Sequence, residues 1–307
     1  MAFYANLKLF KLTSNQRSTM SATLFYPGPD RVGSDVMDRP QFVDEAIVQE
    51  PSRVFTGRYG PFILKSAYQT IFASHGEGFQ QFAFEGLIRP SRDSQAIPPL
   101  TFFKQVDESD HFFIEFMCRA LHLKNAQTLK QPDLCLFINL DPSKYNNPEQ
   151  SVYEIDLMLE KMAPLSLSKK NIVIEITEAK ALSDDTLNIM VEHFHTLNIK
   201  IAIDDYGTLY SDARRVESIN PDYVKIDGPW FASQFHQPNF ISQLANVHQY
   251  FEAKGIQLIY EGIETYEMLA TAKACGAKLF QGYLLGKPQL TPTITWSSDL
   301  LIIIPPQ

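Results

Sequence analysis

Between residue 62 and residue 280, short apolar runs alternate with stretches whose apolar residues recur every three or four positions. The runs Phe62–Phe72, Phe82–Ile88, Leu134–Leu140, Ile172–Ile176, Ile199–Asp204, Tyr223–Ile226, Ile256–Tyr260 and Ala277–Phe280 have the length and β-branched or aromatic content of buried strands. Leu187, Met190, Val191, Phe194 and Leu197 form a helical stripe over 186–197, behind Ser183 as N-cap and two acids, Asp184 and Asp185, in the first turn. Ile241, Leu244, Val247 and Phe251 form a second stripe, closed by Gly255, and Met268–Cys275 closes the same way at Gly276. Pro99–Ala126 and Val152–Met162 supply two more helices. Eight strands alternating with helices predict a (β/α)8 TIM-type barrel.

Residues 1–60 break this rhythm. Pro27, Gly28, Pro29, Gly33, Pro40 and Pro51 interrupt them, and only Leu7–Leu12 and Ala22–Tyr26 have the pattern of short strands. The expected organisation is an N-terminal extension over 1–60 with no independent core, a barrel over 61–292 and a tail over 293–307. The extension is an arm packing on the barrel or a second subunit, or a linker. Lys8 and Lys11 interrupt the apolar N-terminus where a signal peptide needs its core, and no apolar run is long enough for a membrane span, so the expected location is the cytoplasm. A net charge of −8 over 307 residues argues against binding a nucleic acid polymer or an anionic membrane surface. The cysteines, Cys118, Cys135 and Cys275, are odd in number and far apart, which points to buried thiols.

In a barrel of this kind the chemistry sits at the C-terminal ends of the strands. Those ends carry Glu85, Asn139, Glu175, the pair Asp204 and Asp205, Lys225 with Asp227, Glu261 and Gln281. Singly, each could be a turn or cap residue, and Asp204 could cap the following helix. Together they form an oxygen-rich set with no histidine or cysteine, which selects Mg²⁺, Mn²⁺ or Ca²⁺ over zinc or copper. Adjacent carboxylates in apolar surroundings both stay ionised only when cations or hydrogen-bond donors face them, and otherwise one takes up a proton; there are enough ligands for two ions set for in-line attack on a phosphate ester.

The segments around these residues resemble the motifs of EAL-domain cyclic di-GMP phosphodiesterases. Phe84-Glu85-Gly86-Leu87-Ile88-Arg89 is similar to the family signature, with Gly86 where the family has alanine. Ile138-Asn139-Leu140, Ile174-Glu175-Ile176-Thr177-Glu178, Ile203-Asp204-Asp205-Tyr206-Gly207-Thr208, Tyr223–Gly228, Tyr260–Thr265 and Gln281–Pro288 follow in order. The resemblance implies a barrel of the EAL kind that hydrolyses cyclic di-GMP to linear pGpG. It implies one metal on Glu85, Asn139, Glu175 and Asp204 and a second on Asp204, Asp205 and Glu261, with Mg²⁺ or Mn²⁺ active and Ca²⁺ inhibitory. Lys225 would meet the attacking water or the phosphate, Glu261 would also transfer a proton, and Gln281 would orient water. Arg89 would hold the non-scissile phosphate and Leu87 would pack under a guanine. Gln69 and Asp227 would lie at the ligand's edge, and Glu178 would steady the loop after Asp205. A homodimer through Leu209–Glu217 is also implied.

Two departures bear on activity. Leu209 replaces a glycine in the loop after Asp205, where positive φ would strain a leucine, and Thr70 replaces a proline after Gln69. The alternative to an active enzyme is a catalytically weak EAL domain serving as a cyclic di-GMP receptor or protein-interaction module.

Overall fold

The computed structural model describes residues 39–129, 133, 135–162, 167–209, 211–237, 239–291, 293 and 301–302. The described residues begin with α1 (Arg39–Ala46), β1 (Ile47–Gln49) and β2 (Phe55–Tyr59) and continue into two long strands, β3 (Phe62–His75) and β4 (Gly78–Arg92). Next come β5 (Gln95–Ala96), α2 (Pro99–Phe103), α3 (His111–Ala126), β6 (Leu136–Leu140), α4 (Pro148–Met162), β7 (Ile172–Ile176), α5 (Asp184–Thr196), β8 (Lys200–Tyr206) and α6 (Ala213–Ile219). The rest is β9 (Tyr223–Ile226), α7 (Gly228–Gln234), α8 (Phe240–Ala253), β10 (Gln257–Tyr260), α9 (Tyr266–Ala274), β11 (Leu279–Phe280), β12 (Gln289–Leu290) and β13 (Leu301–Ile302). The strand runs expected at Leu7–Leu12 and Ala22–Tyr26 lie outside the described residues.

Eight strands close a barrel in the order β3-β11-β10-β9-β8-β7-β6-β4, with β4 returning to β3. From β4 round to β11 the pairs are parallel, whereas β3 runs antiparallel to both its neighbours. The strict alternation of strand and helix therefore fails at its first step. Only Gly76 and Glu77 separate β3 from β4, and Gly76 adopts φ +57° to make the turn. A parallel crossover needs a dozen or more residues, so two residues can join only antiparallel neighbours. β4 also runs past Ile88 to Arg92, which puts Glu85 in mid-strand. The single helix expected over Pro99–Ala126 is broken between Phe103 and His111, where Asp107 accepts from the Ser109 amide and starts a separate 3-10 turn. The other helices form where the periodicity places them. Ser183 caps α5 by accepting from the Thr186 amide, and Gly255 and Gly276 end α8 and α9 at φ +78° and +101°.

The hairpin of β3 and β4 is longer than the barrel is tall. β2 pairs with β3 at Gly57–Leu64, β1 pairs with β2, and β12 and β13 pair with β3 and β4. Residues 47–59 are thus two further strands of the same sheet.

The core has two compartments. The larger lies between sheet and helices. The smaller is a plug inside the barrel built from one residue per strand: Ile71, Ala83, Phe137, Val173, Ala202, Tyr223, Ile259 and Leu279. Side chains alternate across a strand, so the next inward layer stands two residues along each one. In the seven parallel strands those positions are Glu85, Asn139, Glu175, Asp204, Lys225, Glu261 and Gln281, and in the antiparallel β3 it is Gln69. A ring of polar groups therefore sits directly on an apolar floor.

Candidate active site

The ring is tight. The Lys225 ammonium lies 3.4 Å from Glu85 Oε2, 3.2 Å from Asp204 Oδ1 and 2.7 Å from Glu261 Oε1, and it also contacts Glu175 Oε1. Gln281 Nε2 donates to Glu85 Oε2 at 2.7 Å. Register explains the convergence: Gln69 stands opposite Glu85 and Asn139 opposite Glu175. Between the pairs Ile203–Val224 and Tyr206–Ile226, Asp204 and Asp205 face the single residue Lys225, which makes a bulge. Asp205 takes φ +49° there and its amide donates to Asp204 Oδ1 at 3.0 Å, so two consecutive acids both turn towards the mouth of the barrel.

Burial opposes this much charge. It lifts Glu175 and Glu261 well above the usual carboxylate range; Lys225 pulls both down, while Asp204 and Glu85 push both up. Asp205 is pushed up to about 7, first by burial and then by Asp204. For Lys225, burial favours the neutral amine, but Asp204, Glu175, Glu261 and Glu85 together override it and hold the ammonium well above its ordinary value. One cation cannot satisfy the ring. Among the described residues, Glu175 Oε2 and Gln281 Oε1 are buried without a hydrogen-bond donor. Carboxylate oxygens of Glu178, Asp204 and Asp205 lie within 4.8 Å of one another beside the ring. The orphaned oxygens of Glu175 and Gln281, with the neighbouring carboxylates of Glu178, Asp204 and Asp205, fit divalent cations such as Mg²⁺, Mn²⁺ or Ca²⁺.

The remaining candidates line the approach. Glu85, Leu87 and Arg89 alternate along β4 and share one face, with Leu87 and Arg89 half-buried above the ring. Arg89 Nη1 donates to the carbonyl of Ile88 at 2.9 Å, and burial lowers its pKa, opposed by Tyr283 and Glu85. Gln69 Nε2 donates to the carbonyl of Gly286 at 3.2 Å. Asp227 is buried and caps α7 by accepting from the Trp230 amide at 2.6 Å, so one of its oxygens is spent on the fold. Asn139 is half-buried on the ring's edge.

Close backbone approaches set the heights of Glu261 and Gln281. A Cβ on Gly282 would lie 2.2 Å from the Ile263 carbonyl oxygen, and one on Gly262 would lie 2.7 Å from Cα of Gly228. Those contacts let Ile263 donate to the Gln281 carbonyl at 3.1 Å and Gln281 to the Tyr260 carbonyl at 2.8 Å, which locks the two segments side by side.

Three groups that the strand-end argument passes over also shape the site. Ser211 Oγ donates to the carbonyl of Asp204 at 2.5 Å and Thr208 Oγ1 to that of Asp205 at 2.7 Å, which pins the loop where Leu209 adopts φ +40°. The hydroxyls at three and seven residues after an acid were the available signal. His122, on α3, is buried against Gly86 with Nδ1 2.9 Å from Ser66 Oγ, and nothing local in the sequence links it to β4.

A family model described as the EAL domain matches residues 64–288. The chain is 29% identical over 161 residues, 52% of its length, to the cyclic di-GMP phosphodiesterase PdeF of Escherichia coli (strain K12), of which it covers 21%. It is 27% identical over 226 residues, 73% of its length, to the uncharacterized EAL-domain containing protein YkuI of Bacillus subtilis (strain 168), of which it covers 54%. The chain thus spans between a fifth and just over half the length of these relatives. A standalone EAL protein of Vibrio cholerae O395, solved in its c-di-GMP bound form, superposes with a TM-score of 0.65 at 26% identity, covering 75% of this chain and 96% of that one.

Proposed function

The chain belongs to the EAL-domain family, and from that premise we propose that it is a metal-dependent phosphodiesterase that opens cyclic di-GMP to linear pGpG. The observation that carries this reading is the ring itself. Glu85, Glu175, Asp204 and Glu261 converge on Lys225 over an apolar floor, with Asp205 and Glu178 adjoining.

Two divalent cations, one on Glu85, Asn139, Glu175 and Asp204 and the other on Asp204, Asp205 and Glu261, would neutralise phosphate charge and lower the pKa of an attacking water. The chain's own groups do the rest. Arg89 presents a planar fork to the phosphate that is not cut, and Leu87 offers an apolar seat to a guanine. Gln69 and Asp227 bound the substrate's edge. The Lys225 ammonium stabilises charge that builds on the scissile phosphate. Glu261 accepts the proton of the attacking water as the P–O bond to one ribose breaks, and then returns a proton to that ribose oxygen, which leaves as a hydroxyl. Gln281, tied to Glu85, orients the water, and Glu178 steadies the loop after Asp205.

Chromatography of cyclic di-GMP incubated with the protein tests this. pGpG should appear with Mg²⁺ or Mn²⁺, vanish with EDTA and be suppressed by Ca²⁺; full turnover in the chelated sample would end the two-metal account. Leu209 supports a second reading, a catalytically weak cyclic di-GMP receptor, because φ +40° is a conformation a leucine adopts at a cost. Binding without turnover in the same experiment would select it. Leu209, 77% exposed at the head of the segment Leu209–Glu217, also supports a two-fold homodimer through that segment, and a monomer mass at every concentration would remove that part of the proposal. No helix among the described residues is long and apolar enough to cross a membrane.

A further inference from the structure

Thr177, Glu178 and Ala179 follow β7 without regular structure, yet Glu178 presents its carboxylate within 4.8 Å of Asp204 and Asp205. Such a segment needs something to hold it. Arg215, in the first turn of α6, donates from Nη1 to the carbonyl of Thr177 at 3.0 Å and from Nη2 to the carbonyl of Ala179 at 2.9 Å. Those two carbonyls belong to the residues before and after Glu178, so one rigid guanidinium plane grips the chain on both sides of it.

Arg215 is itself fixed. Its amide donates to Oδ1 of Asp212, the N-cap of α6, at 3.1 Å. The loop from Asp205 to α6 is closed by Gly207 N to the Ser211 carbonyl at 2.9 Å and by Ser211 Oγ to the Asp204 carbonyl. The segment that carries Asp204 and Asp205 therefore reaches round through α6 and takes hold of the segment that carries Glu178. Arg214, one residue earlier, serves as a contrast: its guanidinium is exposed and pairs with Asp212.

We infer that Arg215 is a positioning residue that sets the Glu178 carboxylate against Asp204 and Asp205, so that Glu178 can steady the loop on which those two cation-binding acids stand. The inference rests on the metal-binding part of the proposed function and deepens it. It touches neither substrate nor reacting atoms; it acts through the two carbonyls. Its loss should have a distinctive sign. Removing a positive charge near a cation site strengthens cation binding by Coulomb's law alone, whereas releasing Glu178 weakens it.

The test uses the full chain and Mn²⁺ alone, with affinity read by calorimetry or electron paramagnetic resonance and no nucleotide present. Arg215→Ala should weaken Mn²⁺ binding by about tenfold, the low end for residues that orient metal ligands, and Arg215→Lys, which keeps the charge and one donor contact, by about threefold. In the hydrolysis assay Arg215→Ala should lower kcat by about tenfold with KM within about threefold, because the substrate seat on β4 is untouched. Mn²⁺ bound by Arg215→Ala as tightly as by the parent, or more tightly, overturns the inference, as do equal losses in Ala and Lys variants. If Arg215→Ala does not fold, Arg215→Lys decides alone, and parental affinity in it counts against the role. A weakened Mn²⁺ affinity with no hydrolysis by any variant keeps the positioning role and removes the phosphodiesterase reading. Hydrolysis by the parent with an unchanged Arg215→Ala removes the positioning role alone.

Discussion

Gly86 stands where relatives of this family carry the alanine of their signature, and the fold supplies a reason that can be measured. A Cβ at residue 86 would lie 2.9 Å from Cγ, 3.2 Å from Cδ2 and 3.3 Å from Cβ of His122. Carbon atoms pack at about 3.5–4.0 Å, so the imidazole would have to move. It has little room: Nδ1 is 2.9 Å from Ser66 Oγ, its ring meets Tyr68 edge-on, and the Tyr68 hydroxyl donates to the His122 carbonyl at 2.6 Å. Overpacking of this kind costs roughly 1–3 kcal/mol. A buried hydrogen bond forced out of geometry adds about 1 kcal/mol, and the smaller entropy of the unfolded alanine chain returns about 0.5–1 kcal/mol. Gly86→Ala should therefore destabilise by about 2 kcal/mol, which for a chain of this size lowers the thermal midpoint by about 3 °C. Urea denaturation of the parent, Gly86→Ala, His122→Ala and the double variant isolates the contact. The alanine should cost almost nothing once His122 is truncated, leaving a coupling of about 2 kcal/mol. An equal cost in both backgrounds, or no cost in the parent, would refute the argument that His122 is what keeps residue 86 a glycine.

Glu261→Ala should cut hydrolysis by about a hundredfold or more while changing cyclic di-GMP affinity in Ca²⁺ by less than about tenfold, because it removes a group needed at the transition state. Arg89→Ala should show the reverse emphasis, and parental turnover in Glu261→Ala would mean the site is wrongly assigned. Leu209→Gly relieves a left-handed residue whose side chain is exposed, so it should stabilise by up to about 1 kcal/mol in chemical denaturation; a lower midpoint would show that the leucine is in a contact instead. Burial, with Arg89 nearby, holds the His122 imidazole down to about 3. The unfolded chain therefore takes up a proton near 6.5 that the fold refuses, and stability present above that pH is lost as pH falls towards 3, at up to about 1.4 kcal/mol per unit. His122→Asn should flatten the fall in the urea midpoint between pH 6.5 and 4, and an unchanged slope would assign the acid sensitivity to other groups.

The polar ring was legible because its cause is local. In a strand, residues two apart share a face, so Ala83 and Glu85, Val173 and Glu175, or Ile259 and Glu261 declare an apolar floor and a polar rim wherever the strands end up. Hard oxygen donors without imidazole or thiolate likewise narrow the cation before any coordinate is known. The left-handed strain at Leu209 could be anticipated for the same reason, since φ is a property of one residue and its turn.

What local pattern does not carry is direction, partnership and distance. That β3 runs against the other seven strands depends on a two-residue turn and on closure with β11, and this direction alone makes Gln69, and not a residue further along, its contribution to the ring. The bulge that turns both Asp204 and Asp205 inward exists only because β9 pairs on either side of them. Gly86 reads as a departure from a motif until α3 brings His122 against it from 36 residues away. Arg215 reads as a surface helix residue until its fork meets the carbonyls either side of Glu178. Periodicity along the chain determined which faces are buried and which chemistry tops them. Contacts between segments far apart in sequence decided how that chemistry is held in place, because they depend on the closed barrel and on no property of either segment alone.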